Sequence, residues 1–411
     1  MKPFKLREGN MRRKTIISLC AIVFCTCGLW GGGWNNTLMG ARAIAMGAAF
    51  VGVADDASAI FYNPAGLAFQ ENRFNLTIDG FYVWPTHEYV MPTGTRVESQ
   101  YNASMPQLFL SYQTSERLTI GFGAYIPFAG GGVDWKEDEL GVPLKSYLGV
   151  ISLTPSLSYR VNEKISIGFN LNYYHSVLEV DTVAEIFGPM KADESGSALT
   201  AGLGLMVRPS ERASFGLSIR GPAKLKLSGT TSISTFVPGF GAVKLDLDSE
   251  TSINLPWDFE LGFSYRLSDS ILLTTSAQYT LWSALDSVNK TIKNIPNMDD
   301  PTQMSTYDLD VTEEMNFNNI LIVRFGMEYL LPSGLALRGG IGMDRAASPE
   351  ETLSVRNIDV DKFTLLGGIG YRTGRMSIDF AFVRAFGKER EKPITQFGIP
   401  LMERYNLNVS I

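Results

Sequence analysis

Cysteine is confined to one place in this chain. Cys20, Cys25 and Cys27 all lie in a single apolar stretch near the N-terminus, and no other cysteine occurs. Disulfides, thiol catalysis and cysteine-ligated metals are thereby excluded from everything that follows. Histidine is scarcer still, with only His87 and His175. A histidine paired with serine or a carboxylate therefore has few places to form. His87 is expected as a solvated loop residue and His175 as an interfacial one near the top of a strand. Positive charge is not in excess: the net charge is -6 and the pI near 5.2, which argues against nucleic acid as a partner. Beyond the N-terminal stretch no apolar run is long enough to cross a bilayer as a helix, yet the mean hydropathy is +0.03. The glycine-rich "GLWGGGW" and "AGGG" lack the Lys-Ser/Thr or βαβ context of a phosphate loop. Asp55-Asp56 reads as a helix cap rather than a metal site. No catalytic group, cofactor or metal site is expected, and the chain does not read as an enzyme.

What is present begins with a leader. Arg12, Arg13 and Lys14 precede "TIISLCAIVFCTCGLW", and Gly31–Gly33 follow. A basic region, a short apolar core and a small-residue exit predict a secretory signal peptide over residues 1–33, the alternative being a membrane anchor helix. Cleavage after Cys27, Gly28 or Gly33 fits equally well.

After residue 70 the dominant period is two. In "KISIGFNLNYY", Ile165, Ile167, Phe169, Leu171 and Tyr173 alternate with Ser166, Gly168, Asn170 and Asn172. About fourteen such segments follow from the pattern. They are centred near residues 79, 109, 122, 154, 170, 202, 219, 258, 276, 324, 339, 367, 380 and 406. Short turns such as "QTSER", "RVNEK" and "RTGR" alternate with long polar loops near 85–103, 128–147, 181–195, 228–250, 283–317, 345–361 and 387–399. Short turns on one side and long loops on the other predict an all-β fold, a transmembrane antiparallel β-barrel over residues 71–411. Closure satisfies every backbone group in lipid. Tyr112, Tyr159, Tyr265, Tyr329 and Tyr371 each precede a short turn, as an aromatic girdle requires. A soluble β-sandwich is the competing architecture, but it has no need of the loop asymmetry.

Residues 34–70 break the pattern. Small residues in "GARAIAMGAAFVGVADDASAIFYNPAGLAF" suit a compact plug inside the lumen, because they let backbones approach closely. Asp55 or Asp56 is expected to cap a short helix through Ile60, and Pro64 to end it by restricting Asn63. Gly40, Arg42 and Ala43, followed by "ADDASAIFYNPAGLA", resemble the FadL/TodX family of outer-membrane transport proteins. "GFGAYIPFAGG" and "LTPSLSYRVNEKISIGFNLN" resemble that family's third to fifth strands. The resemblance implies a barrel closed by an N-terminal hatch, with Asn63, Pro64, Ala65 and Gly66 as hatch residues. It implies capture of a hydrophobic small molecule, such as a fatty acid or hydrocarbon, at the outer loops. Release is then sideways, through a gap at a kinked third strand beside the Asn-Pro-Ala turn, in the outer membrane of a Gram-negative-type bacterium. The kink is expected within Gly121–Gly132, with Gly121, Gly123, Pro127 and Gly130 as candidates.

Asp258, Glu260, Arg324, Glu328, Arg338 and Asp379 fall on the lumen-facing parity. They form either a structural ladder of paired charges or, at Arg324 or Arg338, a seat for a ligand carboxylate. Phe128, Trp135, Phe236, Phe240 and Trp282 are candidates for a hydrophobic catch in the outer loops. The expected function is transport of hydrophobic small molecules by a monomer bathed in outer-membrane lipid. The alternative is a plugged barrel serving as a secretion or surface-assembly partner.

Overall fold

The structure, a computed structural model, describes residues 32–184, 188–237, 241–296, 305–396 and 399–411. Residues 1–31, the bulk of the expected leader, lie outside these. The first strands are β1 (Phe74–Val90), β2 (Arg96–Ser99), β3 (Ala103–Gln113), β4 (Leu118–Trp135), β5 (Leu144–Arg160), β6 (Ile165–Ala184) and β7 (Gly188–Val207). Next come β8 (Ala213–Arg220), β9 (Ala223–Val237), β10 (Gly241–Leu255), β11 (Asp258–Arg266), β12 (Ile271–Thr280), β13 (Ser287–Pro296) and β14 (Thr306–Glu314). The last are β15 (Ile320–Leu330), β16 (Leu335–Asp344), β17 (Lys362–Thr373), β18 (Met376–Gly387), β19 (Arg390–Gln396) and β20 (Ile399–Ser410).

Fourteen of these make a closed antiparallel wall in the order β1-β3-β4-β5-β6-β7-β8-β11-β12-β15-β16-β17-β18-β20. The last strand returns to the first, Trp84 opposite Ser410 through Val90 opposite Arg404. Closure leaves each wall strand a neighbour on both sides. Each segment centre read from the alternation falls on one of these fourteen strands.

The alternation sorts outside from inside. On β6, Ile167, Phe169, Leu171 and Tyr173 face outward, while Ser166, Asn170 and Asn172 are buried within. Water-soluble folds bury the apolar face, so this inversion suits a wall surrounded by lipid. Tyr112, Tyr159, Tyr265, Tyr329 and Tyr371 are all outward-facing at the short-turn rim.

Two expectations need correction here. The stretches 128–147, 181–195, 228–250, 283–317 and 387–399 are not loops throughout: β4, β5, β6 and β7 run on into the first two, β19 lies in the last, and β9, β10, β13 and β14 continue the free edge of β7 as a sheet standing outside the wall. His87 is not a loop residue either. β1 continues through Pro85 to Val90, and His87 is buried between Ser99 and Leu407.

Residues 32–70 fill the lumen and are almost wholly buried. They form helix α1 (Ala41–Ala45), helix α2 (Ala59–Tyr62) and a 3-10 helix, Pro64–Phe69. Asn63 is extended, as the residue before proline prefers, and Pro64 opens the next helix, where its missing N–H costs nothing. The Asn63 Oδ1 accepts from the Ala65 N–H at 3.1 Å, and its Nδ2 donates to Val51 O at 3.2 Å and Leu205 O at 3.0 Å. The aspartates divide differently from expectation. Asp56 accepts from the Ser58 N–H and hydroxyl, closing the turn ahead of α2, while Asp55 pairs with Arg42.

The wall makes room for this segment with glycine. Gly168 faces Gly204 across β6 and β7, Gly216 faces Gly262 across β8 and β11, and Gly326 faces Gly340 across β15 and β16. A methyl group on any of the six would overlap hatch atoms, mostly backbone, in residues 46–52 or 63–65. Wall hydroxyls then bond the hatch backbone: Ser166 to Ala65 O at 2.7 Å, Ser264 to Gly52 O at 3.0 Å, Thr274 to Ala49 O at 2.5 Å. An ion chain completes the seat. Arg42 binds Asp55 at 2.5 Å and Glu328 at 2.9 Å, and Arg338 binds Glu328 at 2.7 Å and Asp379 at 2.6 Å. Buried charges require this kind of mutual pairing.

Candidate functional site: a break in the wall and the segment that fills it

One seam of the wall is incomplete. The β3–β4 ladder runs from Gln113 opposite Thr119 to Leu108 opposite Ala124 and stops. β3 continues beside β1 to Ala103, while β4 continues beside β5 to Trp135. Pro106 and Pro127 stand on the two strands just past the stop, and neither can donate a ladder hydrogen bond. The β4 register on β5 also slips twice, between Tyr125 and Phe128 and between Gly131 and Val133. The irregularity thus sits at Ile126–Pro127 and Gly132, the latter at φ +62. Gly121 and Gly123 lie in regular ladder instead. Their lack of a side chain admits Ile60 and Leu67 of the hatch.

Residues 34–40 occupy the break. Asn35 pairs antiparallel with Phe128, the Asn36 N–H donates to Pro127 O at 2.9 Å, and the Ala129 N–H donates to Trp34 O at 2.9 Å. The Asn36 side chain donates to Ile126 O at 2.7 Å and reaches Met105 Sδ on β3. Gln107 of β3 holds both Gly40 N–H and Leu38 O at 2.8 Å. The short segment therefore bridges the two strands that have parted. The Trp34 ring rests on Gly130, where a Cβ would strike it.

Above the hatch the lumen carries an aromatic cluster. Trp34 meets Trp282 and Phe317 edge-on at 6.2 and 5.9 Å, and Phe128 meets Tyr174 and Trp282 at 5.9 and 6.4 Å. Phe128 and Trp282 are thus interior and not at loop tips. Trp135 is buried too, donating to Val355 O at 2.9 Å. The side chains of Phe236 and Phe240 lie outside those described. Beneath the cluster, Phe61 packs on Tyr125, and the Arg220 guanidinium lies 4.5 Å over the Phe61 ring. Among the described residues Arg220 makes only long polar contacts, 3.6 Å to Asp258 and 3.4 Å to Phe61 O. The buried Tyr174 hydroxyl and Glu260 Oε1 have no hydrogen-bond partner among the described residues.

The two arginines singled out from parity are committed elsewhere. Arg324 donates to Gln278 at 3.0 Å and to Thr37 at 2.8 Å and pairs with Asp344. Arg338 is buried and pairs with Glu328 and Asp379. Both hold wall and hatch together, each already paired with a carboxylate of the wall. Nor does the Asn63-Pro64-Ala65 turn lie at the break. It packs on Gly168 and Gly204 of β6 and β7, separated from β3 by β4 and β5. Arg220, Tyr174 and the 34–36 pairing escaped the sequence reading. Only Pro106 and Pro127, one on each of the two strands that part, offered a signal for the last.

The comparisons agree with this architecture. The profile of the family described as outer membrane protein transport protein (OMPP1/FadL/TodX) matches residues 35–410. Outer membrane protein P1 of Haemophilus influenzae is 22% identical over 407 residues, covering 84% of each chain. A Pseudomonas aeruginosa FadL homologue superposes with a TM-score of 0.74 at 17% identity, covering 92% of this chain and 99% of that one. The Ralstonia pickettii toluene transporter TbuX gives 0.67 at 17% identity, covering 90% and 97%. The chain is an outer-membrane β-barrel and belongs to the OMPP1/FadL/TodX family of outer-membrane transport proteins, whose members move hydrophobic compounds.

Proposed function

We propose that this protein takes up small hydrophobic molecules and releases them sideways into the bilayer through the break between β3 and β4. The observation that carries the reading is the pairing of residues 34–36 with β4 where β3 no longer does. Opening any intact seam breaks a whole ladder. Here withdrawal of a short segment breaks two backbone hydrogen bonds and a few side-chain contacts, each worth about 0.5–1.5 kcal/mol net. A ligand drives that change by binding the withdrawn state more tightly than the seated one, and a hundredfold preference contributes about 2.7 kcal/mol, the order of those two hydrogen bonds. The aromatic cluster is the catch. Because Trp34 belongs to both the cluster and the segment, a ligand that displaces its ring also loosens the plug.

Arg220 and Tyr174 favour a ligand with one polar group and an apolar body, such as a long-chain fatty acid, over a bare hydrocarbon. A guanidinium with only long contacts and an unpartnered hydroxyl are what a carboxylate would satisfy. The barrel works as a monomer against outer-membrane lipid. A second reading, a plugged barrel serving a secretion or surface-assembly partner, draws on the sheet β9–β10–β13–β14 that stands outside the wall.

The test is a disulfide. Asn35 and Phe128 are a non-hydrogen-bonded antiparallel pair, a geometry that brings Cα atoms within about 4.5 Å and suits a disulfide. The Asn35→Cys/Phe128→Cys double variant should take up fatty acid when reduced and stop when oxidised, with each single variant insensitive to oxidant. Undiminished uptake by the oxidised protein would remove the break as the route and leave the platform reading standing.

A further inference from the structure

The outer surface carries a feature that the transport route does not use. Near the short-turn end, two rows of side chains cross β5 to β8. Leu157, Phe169 and Leu203 form one row; Ile167, Leu205 and Leu217 form the other. Between them runs a groove of about 460 Å³, floored by the bare backbone of Gly168 and Gly204. Those two glycines are direct cross-strand partners, and their inner faces press on Asn63–Ala65. A single backbone layer thus separates the groove from the hatch.

The rows are open to the surroundings, with Leu203 at 55% and Ile167 at 49% exposure. This is the lipid-facing side of the wall, so its occupant comes from the bilayer. Gly168 stands four residues along β6 from Lys164 in the short turn, at most about 13 Å at 3.3 Å per residue, which is within one leaflet, half of a roughly 30 Å core. The short-turn side of an outer-membrane barrel faces the periplasm. The groove therefore lies at the depth of the periplasmic leaflet.

Two turns sit beneath it. The β5–β6 turn carries Glu163 and Lys164, the β7–β8 turn carries Glu211 and Arg212, and all four are exposed. The neighbouring Arg160 and Arg208 are turned inward onto Phe69 of the hatch. Each turn thus offers one cation and one carboxylate with no net charge. That pattern complements a headgroup bearing both a phosphate and an ammonium, and not one bearing phosphate alone.

We propose that this groove binds a zwitterionic glycerophospholipid of the periplasmic leaflet. One acyl chain lies along the Gly168–Gly204 floor and the headgroup sits between the two turns. The lipid supports the wall from outside at the place where the hatch presses on it from inside.

Native mass spectrometry of protein released from bilayers of mixed phosphatidylethanolamine and phosphatidylglycerol tests this. The expected result is one retained phosphatidylethanolamine. Leu203→Trp, which fills the groove, should lower the retained fraction about tenfold, equivalent to ~1.4 kcal/mol. Phe380→Trp, on the lipid face of β18, should leave it unchanged. Lys164→Glu with Arg212→Glu lies outside the wall, spares folding, and should also lower retention. No retained lipid, equal retention in all variants, or retention of phosphatidylglycerol instead would each overturn the proposal.

Discussion

Two parts of one N-terminal segment are held to the barrel in different ways. Residues 41–70 sit on facing glycine pairs, bonded by wall hydroxyls and locked by the Arg42–Glu328–Arg338 chain. Residues 34–40 lie in a gap, joined to β4 by two backbone hydrogen bonds and the Asn36 side chain, to β3 by Asn36 and Gln107, and to β12 and β15 by the single bonds of Asn35 to Thr280 and Arg324 to Thr37. The first attachment is distributed over many strands and has no room to slide. The second rests on separate single bonds, with no facing glycine pair beneath it, and is separable. The difference teaches that "hatch" covers two objects, a fixed floor and a removable stave, and that only the second needs to move for a sideways exit.

The largest expected effect comes from unseating the floor. Gly340→Leu drives a side chain into the Gly47 backbone, which cannot step aside as a flexible side chain would. Ordinary core overpacking costs about 1–3 kcal/mol and is absorbed by side-chain shifts; here backbone meets side chain, so the whole segment has to leave its seat. Proteolysis from the periplasmic side should then cut within 41–70, while the wild-type segment resists. Next is Arg42→Met, which strips Glu328 and Asp55 of a shared partner. Breaking a buried pair costs about 3–5 kcal/mol, and Arg338 recovers part of it by still holding Glu328. A fall in the thermal midpoint with fatty-acid uptake retained would fit; lost uptake at unchanged midpoint would place Arg42 in the transport path instead.

Asn63→Ala should do less. It deletes three hydrogen bonds and leaves the Val51 and Leu205 carbonyls short of a donor, at about 1–3 kcal/mol. Because the turn packs on β6 and β7, the expected readout is faster proteolysis of the hatch with normal selectivity among ligands. Arg220→Met, by contrast, should lower fatty-acid uptake while sparing toluene uptake; equal loss of both would show that the guanidinium is structural.

The smallest effect is a pH dependence. Burial holds the Asp56 carboxyl above its usual range, against the pull of Arg42. A raised pKa means that the group's contribution to seating is full below about 3.9, the ordinary aspartate value, and is lost as pH rises through the folded value. The seated hatch should therefore gain stability on mild acidification, and Asp56→Asn, which can keep the bonds to Ser58, should flatten that dependence. An unaltered pH profile in the variant would assign the effect to another group.

Much of the wall was legible because lipid outside and a filled lumen inside impose strict alternation, as "KISIGFNLNYY" displays. The outer sheet was not. In β14, "TYDLDVTEE", nearly every residue is exposed, so no face is selected and the pattern reads as loop. His87 was misplaced because Pro85 looks like a strand end, whereas β1 runs through it to pair with β20. Of the two candidate caps, Asp56 closes the turn ahead of α2, while Arg42 claims Asp55 from a distance no local rule anticipates. The stave was hidden for the same reason. Trp34–Asn36 has no strand signal of its own and becomes ordered by borrowing hydrogen bonds that Pro106 and Pro127 leave vacant. The glycines were visible one by one, but their facing pairs depend on register, which only the folded wall supplies.

The central claim, a fixed floor and a removable stave, is tested most directly by amide hydrogen exchange of the bilayer-embedded protein with and without a fatty acid. The account predicts that the amides of Asn36 and Ala129 exchange faster than those of 41–70, and that ligand accelerates the former while 41–70 stays protected. Joint acceleration across 34–70, or protection of residues 34–36 unchanged by a ligand that is demonstrably transported, would contradict it.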